Sequence, residues 1–220
     1  MIFAAGFGTR MAPLTQTRPK PLIEVAGKRL IDHALLPARE AGLAPICINV
    51  HYRARQMRDA LRGEESISIL EETPDILETG GGLKAALPHL PGNAVFTMNS
   101  DAVWEGPNPF ECLRAAWGAP EIEALLLCVP AARALGRADA GDFTISPDFR
   151  VSRGAGYFYT GAQIICRAPV AAHSERIFSF NALWNEMIER GSLFAAIYPG
   201  AWCDVGRPSS IALAERMGDV

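Results

Sequence analysis

Two glycines and three prolines fall between residues 6 and 21, and they decide how the chain can begin. The short apolar run Ile2–Ala5 reads as a strand ending in Gly6 and Gly8. Gly6-x-Gly8 opens like the dinucleotide fingerprint, but its third glycine position holds Met11 and a helix must follow the glycines there. Pro13, Pro19 and Pro21 bar that helix, because proline fixes φ and removes a backbone donor. A GxxxxGK(S/T) phosphate loop is absent as well. What remains is a strand feeding an irregular loop that lasts past residue 21. Its glycines let backbone N–H groups approach an anion, and Arg10 adds a planar cation suited to phosphate. Lys20 stands between Pro19 and Pro21, so its ammonium is aimed with little backbone entropy left to lose. Alone, Pro-Lys-Pro is equally the sequence of a surface turn.

Beyond this loop, apolar runs alternate with helical patterns. Strands are expected at Pro45–Val50, Ile67–Leu70, Ala94–Met98 and Ala124–Val129. Helices are expected at Arg29–Ala41 (interrupted by Pro37), Arg53–Leu61, Gly82–Leu87 and Pro109–Trp117. This is the rhythm of a mainly parallel sheet with helices on both faces. After about residue 130 the texture changes to a hairpin over Gly141–Arg153, a long strand Tyr157–Cys166, a helix Ser179–Arg190, a strand Leu193–Tyr198 and a closing helix Pro208–Met217. Neither repeat nor linker divides the chain, so residues 1–220 are expected to form one domain, with halves meeting near residue 130. Trp117, Trp184, Phe178 and Phe180 sit on helical patterns and are assigned to the core.

Hydrophobic residues are 49% and charged residues 20%, with net charge −3, so no basic face is expected for nucleic acid. Apolar runs fall short of the roughly 18 residues of a membrane span. Met1 leads into Ile-Phe-Ala-Ala without a basic n-region, so neither a signal peptide nor membrane attachment is expected, and the cytoplasm is the expected location. Cysteines 47, 112, 128, 166 and 203 form no CxxC pair, and read as reduced core thiols. Four isolated histidines give no zinc spacing. Asp101 ends an apolar strand, where ligands bind in open parallel sheets. The same position also suits a turn residue, as that of Asp204 suits a cap of the last helix.

The pattern Ala4-Ala-Gly-Phe-Gly-Thr-Arg-Met-x-Pro13-Leu-Thr15, followed by Arg18-Pro-Lys-Pro-Leu22, resembles the signature of the sugar-1-phosphate nucleotidylyltransferases. The resemblance extends through Glu78-Thr-Gly-Gly-Gly82, Gly141-Asp142-Phe143 and Trp202-Cys-Asp-Val-Gly206. It implies a Rossmann-like three-layer α/β/α fold with a mixed, mainly parallel sheet, the nucleotide-diphospho-sugar transferase type. It implies attack by a sugar-1-phosphate oxygen on the α-phosphorus of a nucleoside triphosphate. Several negative charges then meet in one pocket, where fixed cations, backbone donors and a divalent cation serve better than a nucleophilic side chain. Asp101 and Asp204 are the implied ligands of Mg2+, Arg10 the grip on the β- and γ-phosphates, and Lys20 the bridge between the α-phosphate and the sugar phosphate. Backbone of Ala4, Ala5, Gly6, Gly8 and Thr9 is expected to line the nucleotide site. Glu72 and the backbone of Gly81 are expected to read the base.

For the sugar, Asn99, Gly141 and Thr160 are the implied contacts. Arg153 stands near the place of a Glu-Lys-Pro lysine that this chain lacks. A carboxylate suits guanine as well as uracil, so UTP rests on the resemblance alone, as does N-acetylmuramate α-1-phosphate. Rival readings are guanylyl or thymidylyl transfer to mannose- or glucose-1-phosphate, and a non-catalytic nucleotide-sugar sensor. A sensor is expected to have lost the lysine or an aspartate, and Arg10, Lys20, Asp101 and Asp204 are all present. Relatives carry a few residues ahead of the match to Ile2, so the first strand is expected to be clipped.

Overall fold

The computed structural model describes residues 1–217. β1 (Ile2–Phe3) runs into single 3-10 turns at Thr9–Met11, Leu14–Gln16 and Lys20–Leu22, then into a ribbon of β2 (Glu24–Val25) and β3 (Lys28–Arg29). α1 (Leu30–Glu40), β4 (Ile46–Val50), α2 (Ala54–Ala60), β5 (Ile67–Glu71), α3 (Glu78–Ala86) and β6 (Ala94–Asn99) then alternate. The second half holds β7 (Ala102–Glu105), α4 (Pro109–Ala116), β8 (Ala124–Pro130), β9 (Ala134–Leu135), β10 (Phe143–Ile145), β11 (Val151–Arg153) and β12 (Tyr157–Cys166). It closes with α5 (Arg167–Ala172), α6 (Phe180–Arg190), β13 (Leu193–Ile197), β14 (Ala201–Asp204) and α7 (Ser209–Glu215).

The main sheet runs β5-β4-β1-β6-β12-β8-β13. β5, β4, β1 and β6 are parallel neighbours, β12 is antiparallel to both β6 and β8, and β13 returns parallel to β8. β10 extends β12 beyond the end of β6 and carries β11 at its edge. Both halves of the chain therefore share one sheet. The alternation of side chains across each strand feeds two cores. On β8, Leu125, Leu127 and Val129 face α1, α2 and α4, whereas Ala124, Leu126 and Cys128 face α3, α5 and α6. The result is the three-layer α/β/α arrangement expected, with a mixed sheet. A smaller core of Met11, Ile23, Val25, Leu30, Val103, Cys203 and Val205 lies under the glycine-proline loop, closed by Ala214 of α7.

The first strand is only two residues long, yet it occupies the centre of the sheet, with Ile2 opposite both Ile48 and Met98. The Ser100 hydroxyl and backbone N–H both donate to the Phe3 carbonyl, extending its hold on β6. The ribbon, β7, β9 and α5 are elements that the sequence pattern misses; each is short, and β7-β14-β9 pair only with one another in a separate small sheet. The closing helix is shorter than expected, Ser209–Glu215 against Pro208–Met217. α3 begins four residues earlier than expected, so Gly80, Gly81 and Gly82 lie inside a helix.

All five cysteines are unpaired, and Cys47, Cys128 and Cys203 are buried. Burial raises the thiol of Cys47, and with it that of Cys128, while it pushes Cys203 up to about 12. Since the thiolate is the reactive species, a thiol reagent at neutral pH should leave these three unlabelled in the folded protein. Mass spectrometry should find all five labelled once the chain is unfolded in denaturant. Rapid native labelling of any of the three would contradict this packing.

Candidate active site

Because β1, β4, β5 and β6 run parallel, their C-terminal ends leave the sheet on the same side. The loops they feed surround a cavity of about 330 Å3. Its walls include Ala4, Ala5, Gly6, Gly8, Thr9, Arg10, Lys20, Asn99 and Asp101, so the structure brings together most of the residues singled out in the sequence. Local chemistry explains the loop's shape. Gly8 takes φ +64°, and a Cβ there would meet the Lys20 Cβ at 2.9 Å, so glycine lets the lysine stem lie against the loop. The Thr15 hydroxyl donates to the Gly8 carbonyl at 3.0 Å, Met11 fills the core beneath, and Tyr52 and Arg53 donate to the carbonyls of Thr15 and Gln16. The start of the expected Arg53–Leu61 helix thus pins the loop, with Gln56 also donating to the Thr17 carbonyl. At Gly6 a Cβ would meet nothing within 4 Å, which leaves open space over the backbone for a ligand.

Lys20 Nζ donates to Asp101 Oδ2 at 2.8 Å, and the lysine side chain is only 11% exposed. Asp101 lies between β6 and β7, and Asp204 ends β14. Antiparallel pairing sets Asp204 opposite Ala102, and Val205 N donates to the Asp101 carbonyl at 2.8 Å. Asp204 is therefore a strand-end residue rather than the cap of α7, whose N-cap is Pro208. Burial, then the charge of Asp101, raise the Asp204 carboxyl to about 6, against the opposing pull of Lys20, Arg137 and Arg10. Two carboxylates that resist sharing charge, with oxygen donors only, fit a hard divalent cation. Among the described residues no cluster of three or more His, Cys, Asp or Glu forms. The pair suits an ion that takes one or two carboxylates and completes its shell from phosphate and water.

A second cavity, of about 350 Å3, shares Thr79 and Asn99 with the first. Arg153 lines it, held by the side-chain oxygens of Asn181 and Asn185 at 2.8 Å. Trp184, Phe180, Phe143 and Tyr159 add an aromatic wall, so two residues assigned to the core are also cavity-lining. Asn99 reaches the boundary because Gly161, at φ +91° in a bulge of β12, has no Cβ to strike it.

Four expected contacts are displaced. Glu72 is 5% exposed and absent from the cavity walls; Asn49 and the Leu77 N–H donate to its two oxygens at 2.7 Å. Glu78 and Thr79 line the wall in its place. Gly81 is packed inside, its N–H donating to the Phe178 carbonyl at 3.0 Å. The Thr160 hydroxyl donates to the Leu127 carbonyl at 2.6 Å, turned from the cavity into the sheet. Gly141 turns at φ +126° against the backbone of Tyr157 and lines neither cavity; its neighbour Asp142 does line the second. In addition, Ala4 lines the first cavity, but its N–H donates to Asn49 Oδ1 at 2.9 Å. Asn49 escapes a reading by motif, although it is the one polar side chain in the otherwise apolar strand Ile46–Val50.

A glycine loop, a fixed lysine and a pair of aspartates thus gather where the parallel strands end. The chain matches the MobA-like NTP transferase domain over residues 1–192. It is 36% identical to the N-acetylmuramate alpha-1-phosphate uridylyltransferase of Caulobacter vibrioides, over 98% of this chain and 94% of that enzyme. It is 29% identical to the mannose-1-phosphate guanylyltransferase catalytic subunit beta of Drosophila melanogaster, of which it spans 59%. The structure superposes on HddC from Yersinia pseudotuberculosis with a TM-score of 0.77, at 20% identity, over 98% of this chain and 96% of that one. The chain belongs to the MobA-like NTP transferase family.

The packing role of Gly81 is testable. A Cβ there would lie 2.3 Å from the Arg176 carbonyl oxygen, a backbone atom with little room to move. Gly81→Ala should lower stability to chemical denaturation by roughly 1–3 kcal/mol, as overpacked cores do. Unchanged stability together with weakened nucleotide binding would instead restore Gly81 to the site.

Proposed function

We propose that the chain catalyses Mg2+-dependent transfer of a uridylyl group from UTP to a sugar 1-phosphate, N-acetylmuramate α-1-phosphate, in cytoplasmic recycling of cell-wall sugars. The nearly full-length similarity to the Caulobacter enzyme carries this choice of substrates. The geometry supports the reaction class. The nucleotide occupies the cavity between the Gly6–Arg10 loop and the wall of Ile76, Glu78 and Thr79. The sugar occupies the second cavity, beyond Asn99 and Thr79, with Arg153 at its wall.

In this reading the sugar phosphate oxygen attacks the α-phosphorus, a new P–O bond forms, the bond to the bridging oxygen of the β-phosphate breaks, and pyrophosphate leaves. Lys20, on the wall of the nucleotide cavity, cancels charge as it gathers on the α-phosphoryl oxygens. Its salt bridge to Asp101 fixes it before substrate arrives, so little reorganisation is needed. Arg10 borders both the nucleotide cavity and the outer basin beside Asp204, which supports a role in holding the departing pyrophosphate. Asp101 and Asp204 would hold the divalent cation, which supplies charge neutralisation for the phosphates.

The test is pyrophosphate release across a grid of nucleoside triphosphates and sugar 1-phosphates with Mg2+. Turnover is expected with UTP and N-acetylmuramate α-1-phosphate, lost on chelation and in Asp101→Asn. Lys20→Ala should lower kcat by roughly 10²–10³, as loss of a preorganised charge-stabilising group does. Arg153→Ala should raise the KM for the sugar phosphate and leave the KM for UTP unchanged. Turnover only with GTP or dTTP, or only with a hexose 1-phosphate that carries no carboxylate, would keep the class and reject the substrates. A folded protein silent across the whole grid would favour a sensor.

A further inference from the structure

Glu72 is buried in a position that the chemistry of transfer does not use. Asn49 beside it is 3% exposed. The backbone N–H of Ala4 is a donor and nothing else, so Asn49 must present Oδ1 to it, and its amide nitrogen must then point at Glu72. The second Glu72 oxygen accepts from Leu77 N–H, at the N-cap of α3. The two oxygens thus reach opposite sides of the first cavity. Through Asn49 one holds the end of β1, where the glycine loop starts; through Leu77 the other holds the segment carrying Ile76, Glu78 and Thr79. The third glycine of the Gly-Gly-Gly run gives this arrangement room. A Cβ on Gly82 would sit 2.8 Å from Glu72 Oε1 and 2.9 Å from Asn49 Nδ2.

We infer that Glu72 is a positioning residue that sets the width of the nucleotide cavity, acting through Asn49 on the glycine loop and through Leu77 on the facing wall. The inference rests on the reading of that cavity as the nucleotide site. Every hydrogen bond in the Ala4–Asn49–Glu72–Leu77 chain has one allowed direction, so the chain works only with an acceptor pair at one end of the amide. Glu72 touches neither phosphate nor base. Its contribution is to nucleotide affinity, by preventing the walls from relaxing apart.

This directionality gives a compensating test. Glu72→Gln keeps the shape but faces two donors, Asn49 Nδ2 and Leu77 N, with one acceptor and one amide nitrogen. Asn49 cannot flip to help, since its nitrogen would then meet the Ala4 N–H. Asn49→Asp alone sets two carboxylates face to face. The double variant Asn49→Asp/Glu72→Gln satisfies every group again. Its carboxylate, now on β4, accepts from the Ala4 N–H and from the introduced amide. The oxygen of that amide accepts from Leu77, and the net charge is that of the wild type. Each single variant should raise the KM for the nucleoside triphosphate roughly 10- to 100-fold, the expected range for a lost buried bond to a charged group. The KM for the sugar phosphate and kcat should hold, and the double variant should recover most of the loss. A folded Glu72→Gln protein with wild-type nucleotide KM overturns the inference, as does a double variant no better than its parents. A loss confined to thermal stability, with KM unmoved in the active fraction, also overturns it. A wild type that turns over no nucleoside triphosphate overturns the nucleotide reading itself, and the inference with it.

Discussion

The Lys20–Asp101 ion pair is the contact on which the site's organisation depends. It joins the glycine-proline loop to the end of β6, two segments far apart in sequence, at 2.8 Å. The lysine is nearly buried, so removing either partner leaves a charge stranded at the mouth of the sheet. Asp101 neutralises the ammonium on one side and repels the Asp204 carboxylate on the other.

Strand geometry accounts for the rest of the placement. Side chains that end parallel strands cannot avoid a common edge, and Gly6, Asn99 and Asp101 follow from β1 and β6 directly. Asp204 arrives by another route, through the antiparallel β7-β14 pairing that carries a late segment back to the strand ends. Gly136 lets that small sheet close, since a Cβ there would fall 2.1 Å from the Asp204 carbonyl oxygen.

The layered fold and the quartet of Arg10, Lys20, Asp101 and Asp204 are legible in the sequence. The fold depends on local pattern: apolar runs of strand length, prolines that bar a helix, a lysine fixed by its neighbours. The quartet stands on the motifs that carry the family resemblance, and strand order brings its members together. Glu72, Gly81 and Thr160 fall on the wrong face in such a reading, because local pattern cannot report the partner of a polar group. A glutamate at the end of a strand looks solvated until Asn49 and Leu77 are seen to donate to it. Three glycines in a row argue for a loop on propensity, yet they lie in a helix, where Phe178, the Arg176 carbonyl and the Glu72–Asn49 pair stand in the places side chains would take. The available clue lies in β4: one asparagine in a strand otherwise made of apolar residues must find polar partners inside.

The two cavities divide the chemistry in a way that constrains specificity. The first is bounded by the backbone of the glycine loop, by the cations Arg10 and Lys20, and by Asn49, Ile76 and Glu78, an environment suited to a ligand recognised by shape and by phosphate. The second is bounded by aromatic faces and by Arg153, whose guanidinium also lies 4.9 Å from the Phe143 ring centre. The side-chain acceptors that hold it are neutral amides, and the carboxylate that shares its cavity, Asp142, is paired with Arg137. In the proposed transfer, a guanidinium so placed would favour an acceptor carrying negative charge beyond its phosphate.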